Sequence, residues 1–185
     1  LLSRIAANVI MYHDPRSLHA EQYRTCRTNL TALNRAGAPW AVVVTSSRKG
    51  EGKSVTAANL AVCLAEMPAT RVCLIDADFR AAAQCELLGV ENSPGLADLL
   101  TDQAKLANVL RGTTVEKLDI LPSGDEPTSS AELLGGGRVA NLLGELRRRY
   151  SWIVIDTPPV NPYTDACVAT ARTNGALLVV RMQQT

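Results

Sequence analysis

The chain has 185 residues, enough for one domain with a full hydrophobic core. Its 19 Lys and Arg nearly balance 18 Asp and Glu, for a net charge of +1, which argues against a nucleic-acid surface or an acidic tail. No apolar run approaches a bilayer span and no signal peptide is visible, while five widely spaced cysteines (Cys26, Cys63, Cys73, Cys85, Cys167) without a Cys-x-x-Cys pair read as reduced core residues of a cytoplasmic protein.

In chain order, the first predicted element is a helix over 17–34, with Pro15 upstream, Ser17 as its cap and Gly37 beyond its end. A strand is expected at 40–46, a helix at 54–66 and a strand at 71–78. A helical pattern then covers 96–110, a weaker strand 117–123 and a second helical pattern 131–150. Strands at 152–158 and 176–182 complete the set. Loops rich in Gly, Pro and Ser interrupt this order at 122–130 and 135–137, and the Arg run at 147–149 reads as a solvated last helical turn. The main strands are continuously apolar rather than alternating, as strands buried on both faces of a parallel sheet are. The expectation is an α/β fold with a doubly wound, mainly parallel sheet flanked by helices. It divides into an N-terminal segment over 1–37 and a nucleotide-binding domain over 38–185.

Between the strand at 40–46 and the helix at 54–66 lies "TSSRKGEGKS". Gly50 and Gly52 let the backbone curl so that its N–H groups converge on phosphate oxygens, and the helix N-terminus adds partial positive charge. Lys53 is placed to reach the β- and γ-phosphates of ATP, and the Ser54 hydroxyl to ligate Mg²⁺. The expected nucleotide-binding stretch is Arg48, Lys49, Gly50, Glu51, Gly52, Lys53, Ser54 and Val55. Two later strands end in acid: "CLIDADFR" in Asp76 and Asp78, "WIVIDTPP" in Asp156. In open parallel sheets ligands bind beyond the carboxyl ends of the strands, so these carboxylates and the loop are expected to converge. Ser54, Asp76, Asp78 and Asp156 are then the expected Mg²⁺ ligands, directly or through water.

A phosphate loop, an "hhhDxDxR" station and an "hhIDTPP" station together resemble the bacterial tyrosine kinases (BY-kinases), cytoplasmic regulators of capsule and exopolysaccharide export built on the partition-ATPase variant of the phosphate-loop fold. The resemblance covers almost the whole chain, including "LPSGDEPTSSAELL" and "DTPPVNPYTDA". It implies an ATP- and Mg²⁺-dependent tyrosine autokinase in which Lys53, Asp76 and Asp78 are catalytic. It also implies that Asp76 lies nearest the attacking hydroxyl, as a general base or through a Mg-bound water; physical reasoning groups Asp76 with Asp78 but does not rank them. "AEQYRTCRTNL" is similar to the family's oligomerisation helix through Glu21, Arg24 and Arg27, whose spacing also makes a charged stripe able to pair within the helix. The implied partners are further copies of the chain and a membrane polysaccharide co-polymerase or activator, or a fused transmembrane region, at the inner face of the plasma membrane; nucleic acid is not among them.

The sequence departs from the family pattern at several places. Lys49 stands where Pro is usual, Ser129 and Ser130 where Asn-Pro is usual, and Ala81, Ala82 and Ala83 follow Arg80 without the usual proline. The four tyrosines (Tyr12, Tyr23, Tyr150, Tyr163) are scattered rather than clustered, and packing or loop roles are expected for Tyr150 and Tyr163. The chain is expected to be a piece of a longer protein. Two competing readings are a partition-type ATPase, whose signature lysine falls at the position of Arg48, and a nucleotide-gated scaffold of a polysaccharide export complex.

Overall fold

A strand that is apolar at every position needs a core on each side of its sheet. The computed structural model, which describes residues 5–182, has that arrangement; the chain ends at 1–4 and 183–185, included in the two expected segments, lie outside the described residues. Helices α1 (Ile10–His13) and α2 (Leu18–Leu33) precede strand β1 (Trp40–Ser46), which leads through the glycine loop into α3 (Lys53–Ala65) and then β2 (Val72–Asp76). Next come α4 (Gln84–Leu88), α5 (Leu96–Leu100), α6 (Leu106–Val109), β3 (Arg111–Gly112) and β4 (Leu118–Leu121). They are followed by α7 (Ser130–Gly135), α8 (Gly137–Leu146), β5 (Trp152–Asp156), α9 (Asp165–Thr170) and β6 (Gly175–Val179).

The six strands form one sheet in the order β3-β4-β2-β5-β1-β6, parallel except where β3 pairs antiparallel with β4. Successive side chains of β1 feed different cores. Val42 and Val44 pack with α1, α2 and α3 on one face. Ala41 and Val43 pack with α5 to α9 on the other. Burying each such Val, Leu or Ile contributes about 1.5–3 kcal/mol, so truncating the fully buried Leu74 of β2 to Ala would cost about 2–5 kcal/mol. At the amino ends of the strands Trp40 and Trp152 are register partners, their rings edge-to-face with centroids 5.5 Å apart. That leaves the carboxyl ends free to carry polar chemistry.

Helix α2 starts as expected: the Ser17 hydroxyl accepts from the Ala20 N–H at 3.2 Å. The long helices expected over 96–110 and 131–150 are each broken in two. The first stops at Thr101, whose hydroxyl donates back to the Ala97 carbonyl at 2.8 Å, and Asp102 follows in a left-handed turn with φ 63°. The second breaks in the 135–137 glycine run, where Gly136 is extended. The last strand ends at Val179, short of the expected 182, and α1, α4, α9 and β3 are too short to leave a periodic signal. Cys63, Cys73 and Cys85 are buried free thiols and Cys26 is half-buried, but Cys167 is exposed on α9 and does not belong to the core. No helix among the described residues is long and apolar enough to cross a membrane.

Candidate active site

Strands β1, β2 and β5 lie side by side, so their carboxyl ends share one rim. In register, Val44 of β1 faces Asp156 of β5, and Asp156 faces Asp76 of β2. Two carboxylates are thereby set next to each other at the sheet's centre by strand pairing alone. The rim is stitched by backbone bonds, the Ala77 N–H donating to the Asp156 carbonyl at 2.8 Å and the Val160 N–H to the Ser46 carbonyl at 2.9 Å. The loop leaving β1 turns through Gly50 (φ 88°) and Gly52 (φ 96°), left-handed conformations that glycine adopts at little cost. It delivers Lys53 as the first residue of the 13-residue helix α3.

Lys53 is buried, and its ammonium donates to Asp78 Oδ2 at 2.6 Å and to Ser54 Oγ at 2.9 Å, with Asp156 Oδ1 3.6 Å away. Burial pulls its pKa down, but Asp156, Asp78 and Asp76 outweigh that and hold it above the ordinary lysine value. Asp76 is pushed up to about 8, chiefly by burial and then by the Asp156 charge, against N–H bonds from Gln84 and Asp78 that favour its ionised form. Asp156 is also raised, by burial first, with Lys53 opposing. Three carboxylates share one ammonium, so the cluster is short of positive charge.

The structure brings most of the expected residues together. Lys49, Gly50, Gly52, Lys53, Ser54, Val55 and Asp78 line one cavity of about 510 Å³. Arg48 and Glu51 do not line it. Glu51 turns its carboxylate onto its own loop, accepting from the Arg48 N–H at 2.7 Å and from the Ser47 hydroxyl, and the Arg48 N–H bond leads in lowering its pKa. Asp76 and Asp156 are fully buried and do not line the cavity; of the two candidate bases, Asp78 is the one on its wall. Among the described residues no three His, Cys, Asp or Glu side chains converge tightly enough to cage a bare metal. That donor set suits Mg²⁺, which takes one or two carboxylates plus phosphate oxygens and water. The buried Asp156 Oδ1, which lacks a hydrogen-bond donor, is an oxygen such a shell would satisfy.

Glu21, Arg24 and Arg27 lie away from this rim. Arg24 pairs with Glu21 at 2.6 Å and with Glu66 at 3.0 Å, and Arg27 donates to Glu66 at 3.1 Å and to the Cys63 carbonyl at 2.8 Å. Both arginines thus pin α2 to the end of α3 within the chain.

Three further residues of the site were not among the expected site residues, although Arg80 closes the "hhhDxDxR" station. Gln84, buried at the start of α4, donates its amide to Asp156 Oδ2 at 2.8 Å and to the Ser54 carbonyl at 2.9 Å, while its backbone N–H donates to Asp76 Oδ2 at 3.0 Å. Arg80 and Tyr163 line the cavity, the Arg80 guanidinium 4.2 Å from the centre of the Tyr163 ring. Tyr163 thus lies in a loop and packs on Arg80 at the cavity, and Tyr150 packs as well, its hydroxyl donating to Asp119 at 2.7 Å.

Comparison with known proteins places this geometry. Residues 41–184 match the AAA domain family. The chain is 37% identical to the tyrosine-protein kinase YwqD of Bacillus subtilis over 183 residues, 99% of this chain and 77% of that protein. The crystal structure of the chimerical protein CapA2B2 superposes with a TM-score of 0.91 at 32% identity, covering 99% of this chain and 80% of the other. The septum site-determining protein MinD of Pyrococcus horikoshii, solved with Mg-ADP, superposes with a TM-score of 0.65 at 29% identity over 76% of this chain and 57% of its own. With its phosphate loop and strand-end carboxylates on one rim, and with this degree of identity, the chain belongs to the bacterial tyrosine-protein kinase family.

Proposed function

We propose that the chain binds Mg-ATP at the rim of β1, β2 and β5 and transfers the γ-phosphate to tyrosine hydroxyls, as part of the control of capsule or exopolysaccharide export at the inner face of the plasma membrane. The observation that carries this reading is the Lys53 ammonium held among Asp78, Asp156 and Ser54 at the start of a helix. That constellation supplies what phosphoryl transfer demands, positioning and charge neutralisation more than covalent chemistry. Gly50 and Gly52 open the loop to phosphate oxygens, Lys53 neutralises the terminal phosphates, and Ser54, Asp78 and Asp156, with Asp76 behind them, would hold the metal shell. Mg²⁺ held there would supply positive charge to offset that of the transferring group. As the phenolic oxygen–phosphorus bond forms, the bridging P–O bond to ADP breaks, and the phenolic proton passes to the carboxylate cluster. Asp78, on the cavity wall, is the carboxylate placed to face the acceptor, and Asp76 sets its neighbour's charge.

The exposed Glu21, with Arg24 and Arg27, is proposed as a self-association stripe, and a membrane polysaccharide co-polymerase or activator as the further partner. The kinase assignment is tested by incubating purified protein with labelled ATP and Mg²⁺ and probing for phosphotyrosine. Label is expected on tyrosine and lost in Lys53→Ala and Asp76→Asn. No phosphotyrosine, or label that survives in Lys53→Ala, refutes the assignment.

A further inference from the structure

The cavity beside the phosphate loop has a second end of different chemistry. Its wall there is Ala81, Ala83, Pro159, Pro162 and Tyr163, with Arg80 as the charged side chain among them. Arg80 is fixed from three sides. It donates to Asp165 Oδ1 at 3.1 Å and to Ser130 Oγ at 2.6 Å, and it stacks on the Tyr163 ring. Asp165 and Ser130 are buried residues at the starts of α9 and α7, so the guanidinium is a fixed backing for the ring rather than a mobile cation.

Two ligands bring a flat ring to such a site: the base of the nucleotide and the side chain of the phosphate acceptor. Chain order separates them. Arg80, Ala81 and Ala83 belong to the loop that carries Asp78, and Asp78 is the cavity carboxylate that holds Lys53. The aromatic end therefore adjoins the terminal-phosphate end of the site, where an acceptor has to arrive. Resting on the kinase reading above, we propose that Tyr163, backed by Arg80, is a specificity-determining residue that receives the aromatic ring of the acceptor tyrosine. A ring-to-ring contact favours an aromatic acceptor over serine or threonine, whose short stems present no ring to this wall, and it displaces water from beside the transferring group.

The test measures acceptor binding apart from catalysis. Fluorescence anisotropy follows a labelled peptide with one tyrosine on the purified protein, saturated with Mg²⁺ and a non-hydrolysable ATP analogue, against the same peptide carrying phenylalanine or serine. Wild type is expected to bind the tyrosine and phenylalanine peptides within a factor of about three and the serine peptide roughly tenfold more weakly. Tyr163→Leu is expected to weaken both aromatic peptides roughly three- to tenfold, and Tyr163→Phe to restore them. The loss in Tyr163→Leu should exceed any loss in affinity for a fluorescent ATP analogue. Equal peptide binding by Tyr163→Leu, or a loss that falls on the nucleotide in the same proportion, overturns the proposal. If wild type transfers no phosphate from ATP to the bound tyrosine peptide, the kinase reading fails, while the ring preference still supports the wall. If transfer proceeds and Tyr163→Leu leaves acceptor affinity intact, the wall assignment alone fails.

Discussion

Replacing Asp76 by Asn should stabilise the ligand-free protein while abolishing its chemistry. Asp76 is buried beside Asp156, and its pKa is raised from the ordinary 3.8 to about 8. The folded state therefore binds more protons than the unfolded chain between those values, and stability falls as pH rises from about 4 towards 8. At pH 7 the cost of protonating Asp76 on folding corresponds to about 3 pH units at about 1.4 kcal/mol each, an upper bound near 4 kcal/mol. The Asp78 and Gln84 N–H groups donate to opposite oxygens of Asp76, of which Asn keeps one; losing the other bond costs about 1–3 kcal/mol, but Asn carries no charge. After relaxation of Asp156 and Lys53, a gain of about 1–3 kcal/mol is expected, or about 3–10 °C in Tm for a chain of this size. The assay is thermal unfolding in EDTA at pH 5, 6, 7 and 8. Asp76→Asn should melt higher at pH 7 and 8, and the gap should narrow towards pH 5. A gap between variant and wild type that does not move in the variant's favour from pH 5 to pH 8 in EDTA refutes the claim that the carboxylate cluster is short of positive charge.

The same site makes further demands. Gln84→Leu leaves Asp156 Oδ2 and the Ser54 carbonyl without their buried amide donor, and should cost about 1–3 kcal/mol in urea unfolding together with weaker Mg²⁺-dependent nucleotide binding by calorimetry. Gly52→Ala meets no neighbouring atom, but it forces φ 96° on a residue with a Cβ; a loss of about 1–2 kcal/mol by denaturant unfolding is expected even without nucleotide. Glu66→Ala frees Arg24 and Arg27 from their shared carboxylate; the half-exposed pairs should cost at most about 1 kcal/mol, whereas sedimentation should show tighter self-association if these arginines meet a neighbouring copy. Unchanged sedimentation would remove the stripe from consideration as a contact.

Much of this site was legible because its signals are local. An apolar run ending in acid marks Asp76, Asp78 and Asp156 without reference to anything distant, and a glycine loop before a helix marks Lys53 and Ser54. Which carboxylate faces the cavity was not legible: Asp76 and Asp78 share a strand side by spacing, but the chain leaves β2 after Asp76, so Asp78 already belongs to the loop. Gln84 was invisible for another reason. It follows three alanines and owes its role to Asp156 and Ser54, which are far away in the chain. Arg24 and Arg27 showed their helical stripe, but the partner that takes both, Glu66, sits just past the end of another helix. In the fold, unbroken apolar runs foretold the main strands and helical periodicity foretold α3, while the breaks in the long helices depended on a hydroxyl folding back at Thr101 and an extended Gly136.

The ion pair between Lys53 and Asp78 has a consequence for the order in which ligands arrive. A cation of the protein stands among the carboxylates. A nucleotide that came alone would draw that ammonium towards its phosphates and leave buried negative charge facing negative charge. A metal ion that came alone would meet the ammonium in its way. Each ligand therefore removes the obstacle to the other, which is positive thermodynamic coupling, equal in both directions. On the proposed function, the site answers the Mg–nucleotide complex more strongly than either component offered by itself.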